Sequence, residues 1–343
     1  MGMLIEGRWH DTDAVMANGA YVRPPSPIRG ARRPDVADAL TRRPGRFVLI
    51  ASASCPWSHR AMLVRALKRL DDRLALHVAH GPRIEGYPMD GGRSWRVPGT
   101  DSQIRNLHEL YTLHDRRFTG RATVPVLWDA AAATIVSNDS ADIQRTLDAV
   151  AVDRPDDFTL VPADLERRIE AMNRRLHSGL NNAVYRAGFA GTQSAYEAAV
   201  AEVFATMARL ERRLTDRRYL FGPVLTESDL RLLPTLLRFD AIYYILFRCS
   251  RRRLVDYPGL WAYARDVAAW RGIAATVDFE TMRTASYHAD ARGGPPIVAV
   301  PPEADWTEPH GRDRLGPALV AGRDGRRRAV DPRTLAPLEE VAA

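Results

Sequence analysis

Cys55 stands in the stretch Ser54-Cys55-Pro56-Trp57-Ser58-His59-Arg60. The apolar run Phe47-Val48-Leu49-Ile50-Ala51 precedes it, and Ala61, Met62, Val64, Leu67 and Leu70 follow at helical spacing. This pattern predicts a buried strand leading into a helix, with the cysteine at the junction. There the unpaired backbone N–H groups and the helix dipole favour a thiolate. Pro56 suits the first helical position, which has no backbone donor to lose. A dithiol redox motif would carry its second cysteine at position 58, where Ser58 stands. The expected chemistry is therefore monothiol: Cys55 forms a mixed disulfide that an external thiol must resolve. A buried, inert cysteine at a helix start is the plainer alternative. Cys249, the other of the two cysteines, follows the apolar run 241–247, where core packing is its expected role. Two cysteines are too few for a disulfide framework or a zinc site, and no metal is expected.

Three further groups have the types that such a thiol would use. Thr123-Val124-Pro125 opens a strand-like run, Val126-Leu127-Trp128. A cis proline there would leave the preceding backbone free to pair with a peptide-like ligand; taken alone an edge-strand proline is the better explanation, and the surrounding strand and helix pattern favours cis. Asp139-Ser140 opens a helix. The Ser140 hydroxyl with helix N-terminal amides could hold a carboxylate, and Asp139 an ammonium, which together suit the amino-acid end of a γ-glutamyl group. A plain N-cap needs only one of the two. Tyr185, Tyr243, Tyr244 and Tyr287 supply aromatic hydroxyls, each of which would by itself pass for a core or rim residue.

The elements that must position these residues follow from the same pattern. Strands at 47–51, 74–78, 123–128 and 135–137 alternate with helices after Cys55 and from Asp139, with a long Gly- and Pro-bearing loop over 81–103. That order is the thioredoxin arrangement. From about 163 to 283 the pattern is helical throughout, with Thr226-Glu227-Ser228-Asp229 reading as a capping box with Asp in place of Glu. The expectation is an α/β thioredoxin-like N-terminal domain over 45–150 and an all-α C-terminal domain over 163–290. Residues 1–44 are expected to form an irregular extension and 291–343 a loose tail.

Composition sets the outer limits. A chain of 343 residues that is 45% hydrophobic and 27% charged is an ordinary globular protein of two-domain length. No run approaches the roughly 20 apolar residues of a membrane span, and no signal-peptide segment opens the chain, so a cytoplasmic protein is expected. Although the net charge is +7, the basic spots Arg251-Arg252-Arg253 and Arg326-Arg327-Arg328 lack interleaved aromatics. They read as solvated faces rather than a nucleic-acid site.

From Arg46 to Tyr287 these segments resemble the glutathionyl-hydroquinone reductases, the Xi class of glutathione transferases. The likeness rests on Cys55-Pro56-Trp57 with His59-Arg60, on 120–129, and on Ile135-Val136-Ser137-Asn138-Asp139-Ser140. It also rests on Asn181-Asn182-Ala183-Val184-Tyr185, Arg238-Phe239-Asp240-Ala241-Ile242-Tyr243 and Tyr257-Pro258-Gly259-Leu260-Trp261. The resemblance implies the glutathione transferase fold, a homodimer, and thiol-dependent reduction of an S-conjugated hydroquinone. It implies that Cys55 attacks the conjugate's sulfur, that Tyr185 gives the aromatic fragment its proton, and that Tyr243 assists. Arg121, Ala122, Thr123, Val124, Asp139 and Ser140 match thiol-binding positions.

The departures from the family pattern fall around the site. Ser58 replaces Ala, Asp139 replaces Glu, and the stacking Trp of a Gly-Trp pair falls on Gly86-Tyr87, with Trp95 as a later candidate. The family's His-Tyr-Tyr segment is reduced to Ala285-Ser286-Tyr287-His288, leaving Tyr287 as the one tyrosine at the quinone side. Arginine and alanine are abundant and lysine scarce, a bias of GC-rich genomes, in some of which mycothiol takes the place of glutathione. A general glutathione or mycothiol thioltransferase, and a non-catalytic binding protein on the same scaffold, are the competing readings.

Overall fold

A computed structural model describes residues 2–12, 16–30, 33–152, 157–288 and 297–338. The chain divides into two compact units. The first gathers 1–15, 22–151 and 278–298, and the second 16–21, 152–277 and 299–343.

The chain begins with two short hairpins, Gly2–Ile5 (β1) with Arg8–Asp11 (β2), and Met16–Ala17 (β3) with Ala20–Tyr21 (β4), followed by helix Pro34–Arg42 (α1). In the first unit Phe47–Ala51 (β5), Pro56–Leu67 (α2) and Leu74–Val78 (β6) come next. The 81–103 loop holds Trp95–Arg96 (β7), paired with Gln103–Ile104 (β8). Leu107–His114 (α3), Val126–Asp129 (β9), Thr134–Ser137 (β10) and Ser140–Ala149 (α4) complete it. The four-stranded sheet has the order β10-β9-β5-β6, with β5 and β6 parallel and the other pairs antiparallel. Every residue of β5 is buried. A strand covered on both faces needs a continuous apolar run rather than alternation, which is what Phe47–Ala51 provides. The register sets the site. Ile50 pairs with Val126, so the chain leaving β5 toward Cys55 lies beside the chain entering β9 from Val124.

The second unit holds Glu166–Leu176 (α5), Ala183–Gly188 (α6), Gln193–Arg213 (α7), Glu227–Leu237 (α8) and Pro258–Ala268 (α9). The capping box expected at α8 forms. Buried Asp229 accepts from Thr226 N (2.9 Å), Thr226 Oγ1 (2.7 Å), Leu220 N (2.9 Å) and Tyr263 Oη (2.8 Å). Two π-helical turns, His177–Asn181 and Phe239–Tyr243, interrupt the helical run beside Tyr185 and at Tyr243. Such bulges recur at functional sites.

Both terminal expectations are corrected. Among the described residues, the first 44 positions hold two hairpins and a helix where an irregular extension was expected. The C-terminal residues form no loose tail among those described: Ala318–Ala321 (β11) pairs with Arg327–Val330 (β12), and Leu319 exchanges backbone bonds with Leu225 (3.0 Å) and Pro223 (2.8 Å). Buried Arg312 donates to the carbonyls of Leu214 (3.1 Å), Arg218 (3.0 Å), Gly259 (3.3 Å) and Arg217. Polar anchors of this kind leave no apolar periodicity for a sequence reading to detect. The helical domain is also narrower than 163–290, because Phe279–Tyr287 (α10) groups with the first unit. The part of the tail at 289–296 and 339–343 lies outside the described residues.

Candidate active site

Cys55 is the N-cap of α2, with Pro56 at the first helical position. Its Sγ accepts from Ser58 N at 3.4 Å and lies 3.5 Å from the carbonyl oxygen of Val124. The Val124–Pro125 bond is cis, as the sequence pattern suggested. Sixty-nine residues of chain thus close onto one point because β5 and β9 run antiparallel. Trp57 is buried between two guanidiniums, Arg23 at 4.5 Å and Arg60 at 4.3 Å from its ring centre, so basic side chains flank the start of α2. Cys249 is fully buried, and burial pushes its thiol up to about 12, so the core role expected for it fits.

The remaining thiol-side candidates all belong to the first unit. Arg121 Nη1 reaches Gly2 O at 3.5 Å, and Leu4 pairs with Gly120, so β1 runs along the loop that carries Arg121 and Ala122. Thr123 is held from behind by Tyr111, whose hydroxyl donates to Thr123 O at 2.7 Å. At α4 the arrangement differs from the simplest expectation. Asp139 Oδ1 caps the helix by accepting from Ala141 N (2.8 Å) and Asp142 N (3.2 Å), so amides foreseen for a ligand carboxylate are taken by Asp139 itself. Its Oδ2 lies 3.5 Å from Arg29 Nε. Ser140 begins the helix, half-buried beside it.

Tyr87 lies under the guanidinium of Arg83, 4.6 Å from its ring centre. Trp95, the other candidate for the missing tryptophan, packs on His77 with ring centres 4.5 Å apart. A third tryptophan stands near Tyr87 that the sequence reading passed over. Trp9 stacks on His108 (4.8 Å), and a Cβ at Gly86 would sit 3.2 Å from its ring. Gly86 has φ +73°, a conformation that favours glycine. Tyr287 ends α10, and its buried hydroxyl has no hydrogen-bond partner among the described residues. Burial raises its pKa.

Tyr185 and Tyr243 belong to the second unit and meet edge-to-face, ring centres 6.0 Å apart. Phe247 touches both, at 5.2 Å and 5.3 Å, and Phe189 touches Phe247 at 5.3 Å. Tyr21 of β4 extends the cluster to Phe189 at 5.2 Å. Phe247 and Phe189 were missed because aromatic residues in apolar runs ordinarily signal core. Only their company with two tyrosine hydroxyls distinguishes them.

Comparison with known proteins agrees with this geometry. Residues 54–150 match the glutathione S-transferase N-terminal domain and 193–266 the C-terminal domain. The chain is 38% identical to glutathionyl-hydroquinone reductase YqjG of Escherichia coli (strain K12), covering 91% of this chain and 99% of that protein. It is 38% identical to glutathionyl-hydroquinone reductase PcpF of Sphingobium chlorophenolicum, covering 88% and 96%. The glutathione-bound structure of YqjG superposes with TM-score 0.76 at 36% identity, over 91% of this chain and 99% of that one. The Xi class transferase of Natrialba magadii superposes with TM-score 0.79 at 34% identity, over 92% and 98%. The chain belongs to the glutathione S-transferase family, among the glutathionyl-hydroquinone reductases of the Xi class.

Proposed function

We propose that this protein is a thiol-dependent reductase of S-glutathionyl-hydroquinones, with glutathione as its co-substrate. The observation that carries the reading is the single thiol of Cys55 at the start of α2, 3.5 Å from the Val124 carbonyl, with serine at the resolving position. The Cys55 thiolate attacks the conjugate's sulfur. A Cys55–glutathione disulfide forms as the sulfur–aryl bond breaks, and the electron pair passes to the ring carbon. Tyr185 gives that carbon its proton, assisted by Tyr243, and the hydroquinone leaves. General acid help of this kind is worth ~10²–10⁴-fold. A second glutathione thiolate then attacks the mixed disulfide, restoring Cys55 and giving glutathione disulfide. One conjugate and one glutathione become one hydroquinone and one glutathione disulfide. Tyr287 is assigned to the quinone side, and Tyr87, Arg121, Ala122, Thr123, Val124, Asp139 and Ser140 to the thiol. A cytoplasmic homodimer without nucleic-acid or membrane partners belongs to the same reading.

The test is turnover of a glutathionyl-hydroquinone with mass analysis of the protein. Cys55→Ala is expected to abolish turnover, whereas Tyr185→Phe keeps the Cys55–glutathione adduct and slows hydroquinone release by about 10²-fold. Cys249 should stay unmodified. Full activity of Cys55→Ala ends the proposal.

One observation favours a second co-substrate. Asp139 is a methylene shorter than the glutamate usual in the family, and its carboxylate caps α4 and faces Arg29. That leaves less of it for a γ-glutamyl ammonium, which suits another small thiol such as mycothiol. Incubation with each thiol's disulfide discriminates, since the preferred thiol leaves the adduct on Cys55. A general thioltransferase would instead turn over hydroxyethyl disulfide better than the quinone conjugate, and a non-catalytic binding protein would turn over neither.

A further inference from the structure

Behind the loop that faces Cys55 lies a closed hydrogen-bond cluster that no motif in the chain marks out. Tyr111 is fully buried on α3, with Phe118 edge-on to its ring at 5.0 Å. A tyrosine hydroxyl has one proton to donate and two lone pairs to accept with, and here all three are used. It donates to Thr123 O (2.7 Å) and accepts from Thr123 N (3.2 Å) and Asn138 Nδ2 (2.8 Å). Asn138 is itself fixed, because its Oδ1 accepts from Ile28 N at 3.1 Å and its N–H donates to Ile28 O at 3.0 Å. Burial pushes the Tyr111 hydroxyl up to about 12, so it remains a donor at neutral pH.

The consequence is directional. The Thr123–Val124 peptide is trans, and in a trans peptide C=O and the next N–H point opposite ways. With Thr123 O drawn back to Tyr111, the N–H of Val124 is turned away from it, and it makes no hydrogen bond among the described residues. The Val124 carbonyl lies 3.5 Å from Cys55 Sγ. The N–H of Val124 is therefore set by one hydroxyl a residue away, while its carbonyl belongs to the next, cis peptide unit.

We propose that Tyr111, held by Asn138, is a positioning residue for the thiol co-substrate: it fixes the Thr123 peptide so that Val124 offers its N–H to an amide-bearing thiol entering beside Cys55. This rests on the reading that such a thiol binds along Arg121–Val124. Without the hydroxyl, Thr123 N–H and C=O lose their partner and the peptide plane is free to turn, which costs binding rather than thiol reactivity.

The experiment compares wild type with Tyr111→Phe in three readouts: calorimetric affinity of the reduced protein for glutathione, steady-state KM and kcat with a glutathionyl-hydroquinone, and the rate of Cys55 alkylation by iodoacetamide. Glutathione affinity is expected to fall about tenfold, the equivalent of one well-made hydrogen bond, and KM for glutathione to rise with it. Alkylation, which pairs nothing with the Val124 N–H, is expected to stay within about twofold of wild type. Unchanged affinity overturns the proposal, and so does a loss of alkylation and melting temperature in step with affinity, which marks a merely structural role. If Tyr111→Phe does not fold, Asn138→Ala serves: weaker binding with intact alkylation supports the proposal and unchanged binding overturns it. A wild-type protein that binds glutathione but does not reduce the conjugate defeats the reductase reading alone, because the binding comparison still tests Tyr111.

Discussion

Gly188→Ala probes the aromatic cluster without touching either tyrosine. Gly188 closes α6, and a Cβ built on it would lie 2.4, 2.6 and 2.8 Å from Cγ, Cδ1 and Cδ2 of Phe247. Carbon atoms in good contact are ~3.5–4.0 Å apart, so the ring must withdraw by about 1 Å. Two energies oppose each other. Alanine favours a helix over glycine by ~1 kcal/mol, whereas overpacking of this size costs ~1–3 kcal/mol. The net destabilisation is then about 0–2 kcal/mol, or at most ~8 °C in melting temperature for a unit of this size. The catalytic effect should be larger, because Phe247 is the neighbour that touches both Tyr185 (5.2 Å) and Tyr243 (5.3 Å). A ~1 Å misplacement of a proton donor can cost ~10²-fold. Single-turnover kinetics with a glutathionyl-hydroquinone should show hydroquinone release slowed by about 10–100-fold. Formation of the Cys55 mixed disulfide from glutathione disulfide, which needs no proton on carbon, should keep its wild-type rate. Hydroquinone release within about twofold of wild type, in a folded variant, would mean that this cluster does not hold the proton donor.

Two further outcomes follow from the structure. Arg312→Leu removes a buried cation that donates to the carbonyls of Leu214, Arg217, Arg218 and Gly259, so that each loses that donor. A loss of ~3–5 kcal/mol is expected, lowering the melting temperature by roughly 6–20 °C; a shift under about 2 °C would mean that the C-terminal segment does not stabilise the helical unit. Three histidines of the first unit contribute to the pH dependence, His77, His108 and His114, each depressed by burial. The unfolded chain binds protons on them near the ordinary value of about 6.5, before the folded chain does. Their contribution is thus complete above about pH 6.5 and lost as the pH falls through the depressed folded values. Thermal melts from about pH 7.5 down to about pH 5 should show falling stability, and His114→Asn should flatten the slope. An unchanged slope in His114→Asn would contradict the contribution of that ring, since buried Asp229 and Asp240, whose carboxyl pKa burial raises, act with the opposite sign in either protein.

Much of the first unit was written in local residue order. Phe47–Ala51 is apolar without alternation because the strand is covered on both faces, and Cys55-Pro56 announces a helix start because proline has no donor to lose there. Ser58 settles the monothiol character by identity alone. The Thr226–Asp229 cap was equally legible, since a capping box is a contact three residues long. What the chain order could not convey is which distant residues share a place. The C-terminal hairpin is held by backbone pairing to Pro223 and Leu225 and by arginine-to-carbonyl bonds, none of which leaves a period in the sequence. Helix 279–287 has an ordinary helical pattern, and nothing local says that it joins the first unit rather than the second.

The same division runs through the site. Residue type and local pattern singled out Cys55 and the cis proline beside it, whereas Tyr185 and Tyr243 came forward only through the family resemblance. The tertiary structure decided how they are supported. It showed that Asp139 spends one carboxylate oxygen on its own helix, that Phe247 joins Tyr185 to Tyr243, and that Tyr111 stands behind Thr123. A nucleophile is a property of a residue, whereas the direction of the peptide it faces is a property of the fold.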